Sequence, residues 1–329
     1  MFSQRVLWSA AVFALAHFLV QPTLGAASGV AGYPSKPIRF VVPFTAGSAT
    51  DILARLIGSE INKNWGQQIV VDNRPSGGGT IAGSIVASAA PDGYTILMSS
   101  SAFAASAALY DNLPYDALKD FHGVTQVASS SMVLVVAPSL GVKTAQELIA
   151  LAQQKPRQLS FSSAGIGSGT HYGGERFNLA AKIQAVHVPY KGTPESLNDI
   201  IAGRVQYSVA SIVPAVPLIK SGRLTALAVS TSYRAAALPD VPTVAEIGVP
   251  DAECDGWYGV FVQRRTPPAI TTALSREIGR VLGLPDIQEK IVAQGGQAKP
   301  STPEAFDAYV RSEILTRRKV FSAAGVKVN

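Results

Sequence analysis

The chain has 329 residues, of which 15% are charged and 47% hydrophobic, and a formal net charge of +6. This is a globular composition rather than a disordered one, and its scattered basic residues form no aromatic-interleaved stripe of the kind that binds nucleic acid. The single cysteine, Cys254, excludes an internal disulfide, and its neighbours Glu253 and Asp255 give it no reason to be a reactive thiolate.

The N-terminal stretch carries the layout of an export leader. Arg5 supplies a positive charge, Val6 to Val20 is apolar apart from Ser9 and His17, and small residues follow at Gly25-Ala26-Ala27-Ser28. The apolar run falls short of the roughly 20 residues that span a bilayer, so a cleaved signal peptide over residues 1–27 is expected rather than an anchor. Cleavage after Ala27 and after Ala31 fit equally well. The mature chain is then periplasmic, and at about 300 residues it exceeds what one core usually holds, so two lobes are expected.

Strand-like and helix-like segments alternate along the rest. Ile38 to Val42 reads as a strand; after the loop Phe44 to Asp51, the stripe Ile52, Leu53, Leu56, Ile57 and Ile61 reads as a helix. Gln68 to Asp72 is the next strand, a helix opens at Gly77-Gly78-Gly79, and Tyr94 to Met98 is a strand. Further strands are expected at Val133 to Ala137, Leu159 to Ser162, Ala185 to Val188, Tyr207 to Val209, Leu224 to Ser230 and Trp257 to Val262. Helices are expected at Thr144 to Gln154, from Gly169, and through most of Pro267 to Ala324. Repeated βα units predict an α/β fold with parallel sheets, whose ligands sit where strand ends lead into helices. No internal repeat is evident in the mature chain.

Two loops join a strand end to a helix start through small residues: Phe44 to Asp51, and Ser162 to His171. Glycine lets backbone approach a ligand closely, and the first N–H groups of a helix favour a negative group. Hydroxyls of Thr45, Ser48, Ser163, Ser168 and Thr170 add donors, so a binding cleft for an anion is expected between the two loops. Gly77-Gly78-Gly79-Thr80-Ile81-Ala82 matches a dinucleotide fingerprint but lacks its acidic partner about 20 positions on. Ser168 lies in a nucleophile-elbow-like setting without its first glycine, which Ile166 replaces. The histidines show no metal-ligand spacing. Neither a cofactor nor a metal is expected.

Several stretches together resemble the Bug-type extracytoplasmic solute receptors of tripartite tricarboxylate transporters. They are Pro34 to Arg39, Pro43 to Arg55, Asn73-Arg74-Pro75, Pro91 to Tyr94, Ser163-Ala164-Gly165 with His171, His187 to Gly192, and Pro239 to Glu246. The resemblance runs from about Tyr33 to the C-terminus. It implies a two-lobed, type II-like periplasmic-binding-protein fold with the ligand between lobes: one lobe from 33–132 plus 254–329, the other from 133–253. It implies a receptor for a small mono-, di- or tricarboxylate, monomeric, with integral membrane transporter subunits as partners. Matched residue by residue, Ala46, Gly47 and Thr50 belong to one carboxylate-holding loop, and Ser163, Gly165 and His171 to the other, with Ser101 and Ser211 on further cleft segments. Phe44, Ser48, Asp51, Gly169 and Thr170 complete the candidate set. Many members carry an acid where Ala210 stands, so its absence favours a plain carboxylate or dicarboxylate over an amino acid. Two other readings of the residues remain: an exported hydrolase using Ser168 and His171, and a sensory subunit that reports ligand to a membrane kinase.

Overall fold

In the computed structural model, which describes residues 32–326, helices and strands alternate as the sequence pattern requires. The leader expected over residues 1–27 lies outside the described residues. The strands are β1 (Ile38–Val42), β2 (Ile69–Asn73), β3 (Thr95–Ser100), β4 (Phe121–Val136), β5 (Ser160–Ser163), β6 (Val186–Pro189), β7 (Tyr207–Ser211), β8 (Thr225–Val229), β9 (Asp255–Gln263) and β10 (Gly296–Ala298). The helices are α1 (Ala49–Trp65), α2 (Thr80–Ala87), α3 (Ala102–Leu109), α4 (Ala145–Gln154), α5 (Gly169–Ala181), α6 (Thr193–Ile201), α7 (Ile212–Lys220), α8 (Pro268–Leu282), α9 (Pro285–Ala293) and α10 (Pro303–Ala323).

Strand order is β2-β1-β3-β9-β4-β7-β5-β6, with β8 and β10 also on β4. The flanks are parallel, β1 with β2 and β3, and β5 with β6 and β7. The centre is antiparallel: β9 pairs with β3 and β4, and β4 pairs with β7, β8 and β10. The flanks carry the expected parallel pairing, and the antiparallel centre makes the arrangement mixed. Its pivot is β4, a strand of 16 residues buried along nearly its whole length. Phe121 to Ser131 pair with β9, and Met132 onward pairs with β7. One strand thus belongs to two sheets and ties them into one frame.

The three largest hydrophobic clusters among the described residues follow this division. Phe103, Phe121, Trp257, Phe261 and Phe306 form an aromatic core beneath the first sheet. Met132, Leu134, Phe161, Phe177 and Tyr207 fill one face of the second. A third cluster runs from Ile38 and Ile57 through Val127 and Val133 to Leu197 and Ile200, passing under both sheets. Helix α10 also straddles them: its Phe306 and Val310 pack in the first core, and its Phe321 packs in the second. Among the described residues no helix is long and apolar enough to cross a membrane.

Candidate functional site

The parallel arms deliver helix starts to one place. A cavity with about 420 Å³ of space not filled by atoms, partly open to solvent, lies between the two sheets. Helices α1, α3, α5, α6 and α7 each present to it their first residue or the one before: Ala49 after Ser48, Ser101, Gly169 after Ser168, Thr193 and Ser211. A helix start carries unpaired N–H groups and about half a positive charge. Four of these five helices begin without a side-chain cap; only α5 is capped, by Ser168 accepting from the His171 N–H at 3.0 Å. Hydroxyls of Thr50, Ser100, Thr170 and Tyr258 also line the wall, with Phe44, Ala164, Met132, Gly256 and Trp257 giving it apolar surface. No Asp, Glu, Lys, Arg or His is among the described residues of the lining. The positive ends that the wall presents are those of its helix starts, and a small anion is what such donors can solvate.

The sequence candidates separate into two groups. Phe44, Ser48, Thr50, Ser101, Gly169, Thr170 and Ser211 line the cavity. Ala46, Gly47, Asp51, Ser163, Gly165 and His171 do not; they build the loops behind it. Asp51 is 3% exposed, and its carboxylate accepts the Gly47 N–H at 3.0 Å and the Arg55 guanidinium at 3.0 and 3.1 Å. Burial works to raise its pKa, but the bonds from Arg55, Gly47 and Asn73 outweigh burial and hold it below the usual carboxylate range. Ser163 is fully buried and bonds Gly165 and, at 2.6 Å, Nε2 of His187.

His171 is 2% exposed, and its Nδ1 accepts the Gly167 N–H at 3.2 Å. Its ring stacks on that of His187 with centroids 4.0 Å apart, inside a ladder from Phe161 to Phe321. His171 is not among the residues that line the cavity, and its ring packs in this ladder behind the wall. Burial, and then His171 itself, push His187 down to about 3.

Ser168, expected from its sequence as a cleft donor, lines the wall, and so do Thr193, Trp257 and Tyr258, which no sequence motif marked as site residues. Both aromatics are indeed buried, with the Trp257 Nε1 bonded to Glu313 at 2.8 Å, yet they also close the cavity floor. The alternation of β9 could not reveal this, because a strand buried on both faces has no polar side to mark. Ala210, by contrast, is fully buried in the core under both sheets, next to the lining residue Ser211 but not itself among the cavity residues.

The residues offered for hydrolysis do not assemble. The Ser168 hydroxyl is taken up by the His171 backbone N–H and by Thr170, and the His171 ring faces Gly167 and Glu175. A close Ser–His pair among the described residues, Ser163 with His187, lies outside the lining of the cavity. Cys254 is buried, which pushes its thiol up to about 11, as suits a packing residue. Among the described residues no His, Cys, Asp or Glu cluster could hold a metal.

A two-lobed α/β frame with a cleft of helix starts defines the class of periplasmic binding proteins. The family model of the tripartite tricarboxylate transporter family receptor matches residues 53–317, and the chain belongs to that family. It is similar to the protein BugT of Bordetella pertussis, 33% identical over 310 residues, covering 93% of this chain and 95% of that one. Among solved structures it is similar to the periplasmic binding protein BugD, with a TM-score of 0.86 at 30% identity, over 90% of this chain and 99% of that one. It is also similar to an R. palustris protein solved with adipate, with a TM-score of 0.87 at 34% identity, over 90% of this chain and 99% of that one.

Proposed function

We propose that the mature chain is a periplasmic receptor that closes over a small carboxylate and passes it, chemically unchanged, to integral membrane transporter subunits. The observation that carries this reading is the wall of five helix starts and their hydroxyls with no charged side chain in it. Such a wall stabilises a carboxylate through N–H and O–H donors, directly or through water. A cationic or neutral ligand would leave those donors without a negative partner. Ser48, Thr50, Ser101, Gly169, Thr170 and Ser211 are the proposed contacts, joined by Ser168, Thr193 and Tyr258. The dicarboxylate held by the R. palustris relative supports the same class.

The proposed lobes are 33–132 plus 254–329 and 133–253, hinged where β4 changes partners between Ser131 and Met132. Closure hides the ligand from water. The receptor acts as a monomer without a cofactor, after removal of residues 1–27 as a leader. Mass spectrometry of ligand retained through gentle purification tests the proposal. A small carboxylic acid is expected; a neutral sugar or a cation as the retained species would overturn it.

A further inference from the structure

The two loops behind the cavity are copies of one another, which the sequence alone did not reveal. With a shift of 120 positions, Gly47-Ser48-Ala49-Thr50-Asp51 corresponds to Gly167-Ser168-Gly169-Thr170-His171. Both glycines are left-handed, at φ 80° and 74°. In both loops the serine N–H donates three residues back, Ser48 to the Thr45 carbonyl at 3.2 Å and Ser168 to the Gly165 carbonyl at 3.0 Å. In both, serine and threonine hydroxyls bond each other, at 3.2 Å and 3.0 Å. In both, the glycine N–H donates to the side chain four residues on, to Asp51 Oδ2 at 3.0 Å and to His171 Nδ1 at 3.2 Å. Each of those side chains then faces a charged residue one turn further along its helix: Arg55 at 2.9 Å from Asp51, and Glu175 at 3.5 Å from His171 Nε2.

The same task is thus performed with opposite polarity. A carboxylate backed by a guanidinium holds the first loop, and an imidazole backed by a carboxylate holds the second. The Gly167 N–H requires a lone pair on Nδ1, which places the His171 proton on Nε2, toward Glu175. We infer that Asp51 and His171 are equivalent positioning residues, each taking up its loop glycine's N–H so that the following hydroxyls and helix N–H groups point at the ligand. The inference rests on the carboxylate-receptor reading for its link to affinity, but not for the loop geometry itself.

Exchanging the polarity tests it. Alone, His171→Asp sets a carboxylate against Glu175; the double variant His171→Asp/Glu175→Arg recreates the Asp51–Arg55 pair. Titration with adipate should show the single variant weakened about tenfold or more, as for a lost hydrogen bond at a charged site, and the double variant restored to within about threefold. Hydrogen exchange at the Gly167 amide, measured without ligand, should speed up in the single variant and slow again in the double. A double variant no better than the single in both readouts would overturn the inference. Should the wild type not bind adipate, the exchange of Gly167 still decides, and the carboxylate reading fails separately. Should the buried His171 variants not fold, the first loop serves instead. Asp51→Asn retains an acceptor for Gly47 and should lose less than about threefold in affinity, while Asp51→Ala should lose about tenfold. Equal losses would contradict the assignment.

Discussion

The loop at Gly47–Asp51 and the loop at Gly167–His171 share a hydrogen-bond plan but differ in how much of it is spent internally. In the first, Ser48 makes no cap bond and Thr50 bonds only Ser48. In the second, Ser168 caps the His171 N–H and Thr170 accepts the Ala164 N–H at 2.9 Å. The first loop spends fewer hydroxyl bonds on itself, whereas the second uses its hydroxyls to hold its own shape as well as to line the cavity. The surroundings differ too. A Cβ on Gly47 would meet only Pro194, at 3.7 Å, whereas one on Gly167 would stand 2.9 Å from Ser106 Oγ and 3.0 Å from the Tyr110 ring. The second loop is wedged against α3, and the first is comparatively free. Similar backbone shapes therefore carry different tolerances.

The glycines should break this comparison most visibly. Gly47→Ala is expected to cost about 1–2 kcal/mol, the strain of a left-handed residue with a side chain. Gly167→Ala adds displacement of Ser106 and Tyr110, for a total of about 2–4 kcal/mol. Urea unfolding of both variants checks this, and equal costs would remove the asymmetry.

Acid should separate the loops next. His187, stacked on His171, is held neutral in the fold with its pKa lowered from 6.5 to about 3. Between those values the unfolded chain binds a proton that the folded chain refuses, so stability falls as pH drops from about 6.5 toward 3. Allowing for partial solvent screening, the loss is about 2–4 kcal/mol. Asp51 behaves differently: its lowered pKa contributes stability that persists above the ordinary carboxylate value and is lost only as pH falls through its depressed folded value. Acid thus undermines the second loop first. Unfolding midpoints of the wild type and His187→Gln between pH 7 and 4 measure the difference; parallel curves would remove His187 from the account.

The hydroxyls give smaller effects. Thr170→Val strands the buried Ala164 N–H and is expected to cost about 1–3 kcal/mol, against less than about 1 kcal/mol for Thr50→Val. Ser168→Ala loses a helix cap worth about 1 kcal/mol, whereas Ser48→Ala should leave stability within about 0.5 kcal/mol and act on ligand affinity instead. Thermal unfolding beside calorimetric titration separates the two readouts.

Much of this frame was legible in the sequence, and the failures have physical causes. The flanking strands and their helices announced themselves through apolar runs ending at Gly/Ser loops. The first two-thirds of β4 did not, because Thr125, Gln126 and Ser129-Ser130-Ser131 read as polar loop. They are buried in a central strand, where Thr125 bonds the Ser301 carbonyl at 2.9 Å and Ser131 bonds Thr231 at 2.9 Å. Helix α3 was missed for the opposite reason: Ala102 to Leu109 is mostly Ala, with Phe103 and Leu109 also apolar and Ser106 its one polar residue, so it shows no amphipathic stripe. The paired loops were found by their composition, but their equivalence was hidden. Asp51 and His171 share no chemistry except the ability to accept one N–H, and a sequence comparison does not score that.

In the proposed receptor, backbone dipoles and hydroxyls hold a carboxylate, with no charged side chain among the described residues of the wall. Calorimetric titration of the mature chain with adipate and with its neutral diamide, at pH 6 and at pH 9, tests it most directly. Adipate should bind and the diamide should not. Because no Asp, Glu, Lys, Arg or His is among the described residues of the cavity wall, the affinity for fully ionised adipate should also be the same at both pH values. Preference for the diamide, or an affinity that changes tenfold or more between the two pH values, would contradict the account.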